Sequence, residues 1–215
     1  AEPLERYLAD LPDLSRYRMG ELRCGRRVEY EVEANWKFMC ENYSECYHCP
    51  GVHPMLSKVS PYDSAENDLT EGPFLGGFMK INRGRSLTMS GDACAMSVGD
   101  TEDGGGKERV FYYSIFPNTL LSMHPEYVMV HQLWPRSSER TLVVCDWLFH
   151  PNAFNRADFK PSDAIEFWDI TNKQDWHVCE LSQLGISSRA YQPGPYSSRE
   201  SIPAAWDREY RRQMN

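Results

Sequence analysis

The order of helical and strand-like segments predicts an α+β fold, in which helices pack on one face of an antiparallel sheet. A helical segment lies early in the chain, short apolar runs separated by turn residues fill the middle, and a long helical segment follows. Strand-like runs that succeed one another without intervening helices are typical of an antiparallel meander. We therefore expect residues 1–215 to form a single domain.

Each element is predicted from its local pattern. Residues 1–20 indicate short helix and turn, and residues 21–33 alternate enough to predict a strand. Apolar side chains recur at helical spacing over residues 35–49, which predicts a helix that Pro50 and Gly51 should end. A long helix is predicted over residues 164–184 and a last one over residues 203–213. The clearest strand patterns are Phe74–Ile81, Arg109–Phe116, Thr119–Met123, Tyr127–Trp134 and Thr141–Phe149, and residues 100–107 predict a surface turn or disordered tip.

Charge and composition exclude several classes of protein. The 23 basic and 31 acidic residues give a net charge of −8, which argues against a nucleic-acid partner. No apolar run approaches the ~20 residues that a membrane-spanning helix needs. The seven cysteines are odd in number and irregular in spacing, and the chain shows no secretion signal. We therefore expect free thiols and a cytoplasmic location.

Two histidines five positions apart, His48 and His53, are the strongest candidates for metal ligands. On an unbroken helix the second ring would be rotated from the first by about 140°. A break at Pro50 and Gly51 would let the chain turn His53 back toward His48. Two imidazoles and one carboxylate, with positions left open, form the ligand set of ferrous sites that bind dioxygen. Spacing does not choose the carboxylate, for which the candidates on the late helix are Asp163, Asp169, Asp175 and Glu180.

A zinc site is the alternative use of this segment. Its ligands would be Cys46, His48, Cys49 and His53. The adjacent residues His48 and Cys49 are poorly placed to bind one metal ion together. The sequence also lacks a second Cys-x-x-Cys or His-x-x-x-His pair that would complete a zinc site. Glu41 and Glu45 precede His48 on the same predicted helical face, so either could accept its second N–H.

The remaining histidines and the aromatic residues are predicted to be mainly structural. Of His124, His131, His150 and His177, only His131 is a modest exception, because it lies on an inward-facing strand. Core filling is the expected role of Phe78, Phe111, Tyr113 and Trp147, although each could line a pocket.

Two motifs in the chain resemble those of a known family. The stretches Asn35-Trp36-Lys37, Glu41-Asn42-Tyr43, Glu45-x-Tyr47-His48 and His53-Pro54 resemble the iron-binding signature of the catalytic domain of Rieske non-haem iron oxygenases, the family of aromatic-ring-hydroxylating dioxygenase α subunits. The later stretch Gln174-Asp175-Trp176-x-x-x-Glu180-x-x-Gln183-x-Gly185 resembles the second iron motif of that family.

The resemblance implies a helix-grip fold, with a substrate cavity between the sheet and the long helix. It implies Fe(II) on His48, His53 and Asp175, with Glu45 and Asn42 as catalytic residues. Electrons would reach the iron through Glu45 from a [2Fe-2S] cluster on the neighbouring subunit of a homotrimer, supplied by a reductase. The substrates would be dioxygen and an aromatic compound or a methylated amine, and the acid at position 45 favours the amine.

This chain is not expected to hold the cluster itself. Cys46-x-His48 resembles the first half of a cluster motif, but the second half, Cys-x-x-His, does not occur. The cluster would therefore be supplied from outside this chain. A non-catalytic helix-grip domain that binds a ligand and a zinc-dependent hydrolase remain the alternative functions.

Overall fold

A seven-stranded antiparallel sheet forms the centre of the computed structural model, which describes residues 3–8, 11, 14–99 and 108–214. The strands lie in the order β1-β7-β6-β5-β4-β3-β2, so that the six strands from β2 to β7 form a meander and β1 adds beside β7. Their bounds are β1 Arg23–Val32, β2 Glu66–Leu69, β3 Phe74–Lys80, β4 Arg109–Ile115, β5 Thr119–Met123, β6 Val128–Ser137 and β7 Arg140–Phe149. The predicted α+β class is confirmed.

The predicted strands agree closely with these bounds, but the edge strand β2 was not predicted as an element of its own. Its sequence, Glu66–Leu69, has no alternation of apolar and polar residues, and three of its four residues are exposed. It pairs with β3 opposite Gly76 and Gly77. A side chain at Gly77 would collide with the backbone of Glu66 and Asn67. The glycines therefore allow this pairing, which hydrophobic periodicity cannot predict.

Six α-helices in the described residues accompany the sheet. They are α1 Leu4–Tyr7, α2 Trp36–Tyr43, α3 Cys49–Val52, α4 Pro54–Val59, α5 Pro161–Ile186 and α6 Ser201–Met214. The long helix α5 has 26 residues and begins with a proline. Proline lacks a backbone N–H, and in the first turn of a helix no intrahelical hydrogen bond requires one. No helix in the described ranges combines the length and the apolar composition of a membrane span.

The prediction of one helix over residues 35–49 is wrong. Helix α2 ends at Tyr43, and Pro50 and Gly51 lie inside a separate short helix, α3, instead of breaking one. Proline is tolerated there because it occupies the first turn, where no intrahelical hydrogen bond needs its N–H. The predicted turn at residues 100–107 lies outside the described residues.

The main core lies between the sheet and the helices. Alternate residues of β4 point to opposite faces: Val110 and Tyr112 pack toward the helices, and Phe111 and Tyr113 pack on the other side. Helix α5 contributes Phe167 and several further buried side chains to the helix-side core. The cavity described below opens between this face of the sheet and α5, as in the predicted helix-grip arrangement.

Candidate metal centre

The short helix α3 has a histidine at each end. His48 lies at its N-cap, and His53 joins it to α4. A single helical turn, α3, separates the two residues, and their two Nε2 atoms lie 3.1 Å apart. Helix α5 brings Asp175 to the same point, with its Oδ1 2.8 Å from Nε2 of His53 and 3.3 Å from Nε2 of His48. Three potential ligand atoms therefore converge.

The outer nitrogens of both rings face oxygen atoms that accept hydrogen bonds. Nδ1 of His48 lies 2.7 Å from Oε1 of Glu45, and Nδ1 of His53 lies 2.8 Å from Oε1 of Gln174. Since a carboxylate or amide oxygen only accepts, each Nδ1 carries a proton that it donates. In a neutral ring this leaves the Nε2 lone pair directed inward. Two such lone pairs and a carboxylate oxygen at close range fit a bound cation.

The charges of the site favour a positive centre. Burial lowers the pKa of His48, but hydrogen bonds and charge from Asp175 and Glu45 outweigh this effect and raise it to about 9. Burial raises the pKa of the Asp175 carboxyl, but hydrogen bonds to His48 and His53 reverse this and bring it below its ordinary value. Asp175 is thus ionised at neutral pH. A proton and a metal ion would compete for the same lone pairs.

Asn42 on α2 contacts this centre through Asp175. Its Nδ2 donates a hydrogen bond of 2.6 Å to Oδ1 of that carboxylate. The contact connects α2 to α5 and restricts the rotation of the carboxylate. All five residues that the sequence nominated therefore lie in one cluster: Asn42, Glu45, His48, His53 and Asp175.

The other three carboxylate candidates on α5 lie elsewhere. Asp163 bonds Ser90, and Asp169 accepts from Tyr30 and Lys173. Glu180 accepts from the backbone N–H of Glu33. Only Asp175, among the four candidates, approaches the histidine pair.

The structure does not support the zinc alternative. The sulfur of Cys49 lies within 4.8 Å of the ligand nitrogens of His48 and His53, but it is joined to Cys46 in a disulfide. A disulfide sulfur is not a thiolate ligand. The expectation that all seven cysteines are free thiols is therefore wrong for this pair. Cys24, Cys40, Cys94, Cys145 and Cys179 are free.

A cavity of about 110 Å³ adjoins the converging atoms. Its volume is well above the ~10–15 Å³ that a single water needs by this measure. Five aromatic side chains lie on its wall, Tyr43, Phe78, Tyr112, Trp168 and Trp176. Phe78 was expected to fill the core and instead lines the cavity. The expectation holds for Trp147, which is fully buried, and for Phe111 and Tyr113, which pack on the opposite face.

A second depression approaches the same pair of side chains from outside. Glu45 and His48 line both the inner cavity and an outer cleft, whose other walls include Phe38, Tyr196 and Glu200. The hydrogen bond between Glu45 and His48 therefore lies where the cavity and the cleft meet.

Gln174 is a site residue to which the sequence assigned no role. It precedes Asp175 on α5, and its contact with His53 spans 121 positions. Its place in the second motif was the only signal that could have identified it. His131 also lines the cavity, in agreement with its inward-facing strand.

Comparison with protein families gives a match over residues 19–215 to the model described as "Ring hydroxylating alpha subunit (catalytic domain)". Among curated proteins, the chain is 29% identical to the glycine betaine monooxygenase oxygenase subunit of Chromohalobacter salexigens, over 90% of this chain and 50% of that protein. It is 30% identical to the subunit of the same name from Pseudomonas aeruginosa, over 84% and 49%. The chain thus spans about half the length of these relatives.

Solved structures show the same fold. A quaternary ammonium Rieske monooxygenase superposes with a TM-score of 0.76 at 22% identity, over 99% of this chain and 57% of that one. Naphthalene 1,2-dioxygenase from Rhodococcus sp. gives a TM-score of 0.72 at 13% identity, over 100% of this chain and 62% of that one. At these identities the likeness concerns the fold alone.

Proposed function

Because the chain belongs to the family of ring-hydroxylating α-subunit catalytic domains, we propose that it is the iron-bearing catalytic part of a Rieske-type oxygenase. Its ligands would be His48, His53 and Asp175. The observation that carries the proposal is the convergence of three inward-facing lone-pair atoms within 3.3 Å of one another. Fe(II) in this ligand set would keep open positions and supply the dioxygen chemistry of the site.

The protein residues around the ligands would hold them in place. Glu45 and Gln174 keep the Nδ1 protons of the two histidines, so that each Nε2 stays free for the metal. Asn42 restrains the Asp175 carboxylate through its hydrogen bond. These contacts orient the ligands before the metal arrives and therefore favour binding.

We propose a methylated amine as the substrate. The support is that the relatives at 29% and 30% identity are glycine betaine monooxygenase subunits. The aromatic wall of the cavity suits an organic cation, because the face of an aromatic ring attracts positive charge. An arene would pack on the same rings but lacks the positive charge that their faces attract. The amine is therefore the better match to this cavity.

Electrons would come from a [2Fe-2S] cluster outside this chain, supplied by a reductase, in a homotrimer. Glu45 and His48 would connect that donor to the metal, since they line both the outer cleft and the inner cavity. Glu45→Gln is expected to retain iron, because an amide oxygen can still accept from His48. It should slow turnover that depends on the reductase in the full-length protein. Unchanged coupled turnover in this variant would exclude the role.

Iron content tests the metal site directly. After anaerobic reconstitution with Fe(II), the wild-type chain should hold one iron per chain, and His48→Ala and Asp175→Ala should hold almost none. Glu180→Ala is the matched control, an acid on the same helix that contacts the backbone of Glu33 instead. Iron content unchanged in both ligand variants would reject the site. It would leave a non-catalytic ligand-binding domain as the better reading.

Peroxide-dependent turnover tests the substrate class without an external electron donor. Oxidation of an N-methyl group releases formaldehyde, which is measured after adding hydrogen peroxide and a trimethylammonium compound to the iron-loaded chain. Formaldehyde should appear with the wild type and not with Asp175→Ala. Iron-loaded protein that hydroxylates an arene but releases no formaldehyde from any methylated amine would contradict the amine proposal.

A further inference from the structure

His131 lines the cavity, and one of its ring nitrogens has no hydrogen-bond partner among the described residues. It lies on β6, is 3% exposed, and lines the same cavity as the candidate metal ligands. Its Nδ1 is buried and has no hydrogen-bond partner within the described part of the chain. Buried polar atoms are nearly always hydrogen-bonded, so this nitrogen requires an explanation.

A chain of hydrogen bonds determines which nitrogen of His131 carries the proton. It begins at Asp169, whose Oδ2 lies 2.6 Å from Nζ of Lys173. The carboxylate accepts from the hydroxyl of Tyr30 at 2.9 Å. Because the Tyr30 hydroxyl gives its proton to Asp169, its oxygen can only accept from Asn172, whose Nδ2 lies 3.4 Å away. This orientation of the amide turns its Oδ1 toward Nε2 of His131, at 3.3 Å.

The orientation of Asn172 makes Nδ1 of His131 a hydrogen-bond acceptor. Because Oδ1 of Asn172 only accepts, Nε2 of His131 must donate, and Nδ1 of the neutral ring then carries the lone pair. Burial lowers the pKa of His131 to about 4, although Asn172 and Asp175 act in the opposite direction. The ring is therefore neutral near pH 7.

We infer that His131 is a specificity-determining residue, whose Nδ1 accepts a hydrogen bond from an O–H or N–H group of the substrate. The inference rests on the proposed function for the identity of the site and deepens it. A methylated amine that keeps an N–H, or one that carries a hydroxyl, would satisfy this nitrogen. A cation without any donor would leave it unpaired.

Two pairs of probe molecules, each matched in size, distinguish an N–H donor from an O–H donor. Trimethylammonium has an N–H that tetramethylammonium lacks, and phenol has an O–H where toluene has a methyl group. Binding to the whole chain, labelled with ¹⁵N at histidine, is followed by the ring-nitrogen shifts. The free protein should show His131 protonated at Nε2. The donor-bearing member of at least one pair should shift Nδ1 and bind about five- to tenfold more tightly, the ratio that one hydrogen bond confers.

Variants assign the preference to this residue. His131→Phe should abolish the preference and bring the affinity ratio close to one. His131→Gln keeps a polar group opposite Asn172 and serves as the second variant if His131→Phe does not fold. It should retain part of the preference. His124→Phe is the matched control. His124 is a second buried histidine with unpartnered ring nitrogens, but it stacks on Tyr127 with ring centres 4.2 Å apart and is not among the cavity-lining residues described.

The outcomes separate this inference from the proposed function. Preference for phenol over toluene, without binding of either amine, would support His131 as the acceptor and reject the amine substrate. Protonation of His131 at Nδ1 in the free protein would overturn the inference. So would equal affinity within both pairs, failure of both pairs to bind, or a preference that persists in His131→Phe.

Discussion

Each candidate ligand is oriented by one neighbouring side chain. Glu45 lies three residues before His48, so local sequence sufficed to nominate it. Gln174 reaches His53 from a helix more than a hundred positions later, and no local pattern predicts such a contact. Because local patterns do not predict such long-range contacts, sequence spacing could not choose among the four carboxylate candidates on the late helix. Only the family motif nominated Asp175, because the approach of α5 to the histidine pair depends on tertiary packing.

Gln174→Leu should weaken iron binding about 10- to 100-fold, which is the usual cost of losing the hydrogen-bond partner of a metal-bound histidine. The variant frees the His53 ring to rotate and to change tautomer. Affinity is measured by competition with a chelator of known strength. Gln174→Glu, which still presents an accepting oxygen, should bind iron nearly as well as the wild type. Equal iron affinity in Gln174→Leu would show that His53 needs no such support.

Helix α3 shows how a single turn can bring two candidate ligands together. The sequence predicted that His53 turns back toward His48, and the two Nε2 atoms do lie 3.1 Å apart. The predicted cause, a helix break at Pro50 and Gly51, is wrong. Proline followed by glycine is compatible with the first turn of a short helix as well as with a break. Strand and long-helix predictions were closer to the structure, since periodicity over many residues is a stronger signal than two turn-forming residues.

Two glycines of the site region should respond oppositely to alanine. Gly51 is exposed within α3, and no heavy atom lies within 4 Å of the added Cβ. Gly51→Ala should raise the free energy of unfolding by about 0.5–1 kcal/mol. Gly76 has a φ of +142°, and its Cβ would strike the backbone oxygen of Tyr112. Gly76→Ala should therefore destabilise by about 2 kcal/mol or more. Chemical denaturation measures both, and equal effects would contradict this account.

The packing of α2 on α6 makes stability depend on pH. Burial raises the pKa of Glu41 on α2 to about 7, and the charge of Asp207 on α6 adds to the effect. The folded state thus holds a proton that the unfolded chain releases near pH 4.5. This contribution to stability is complete below pH 4.5 and is lost as the pH rises through 7.

Glu41→Gln should remove the loss of stability that occurs as the pH rises through 7. The variant should match the wild type near pH 4.5 and exceed its free energy of unfolding by about 1–3 kcal/mol at pH 8. Denaturant titrations at the two pH values measure the difference. A difference at pH 8 no larger than that at pH 4.5 would disprove the assignment to Glu41.

At the scale of the whole molecule, the site joins distant parts of the chain. The histidines lie before the meander and Asp175 lies after it. Fe(II) that binds only the folded state should raise the melting temperature, by about 5–10 °C at a hundredfold excess over its dissociation constant. Calorimetry with increasing Fe(II) under nitrogen measures this shift. Asp175→Ala should show none, and an equal shift in that variant would place the binding elsewhere.

The contact between His53 and Asp175 spans 122 positions of the chain. A metal bridge there would close a loop that contains almost the entire sheet, and it would act as a removable crosslink. The entropy that a crosslink takes from the unfolded chain grows with the logarithm of the loop it closes. Loss of the metal would therefore also release a tether that encloses most of the sheet. In a cell short of iron, the apoprotein would then be the form most exposed to proteases.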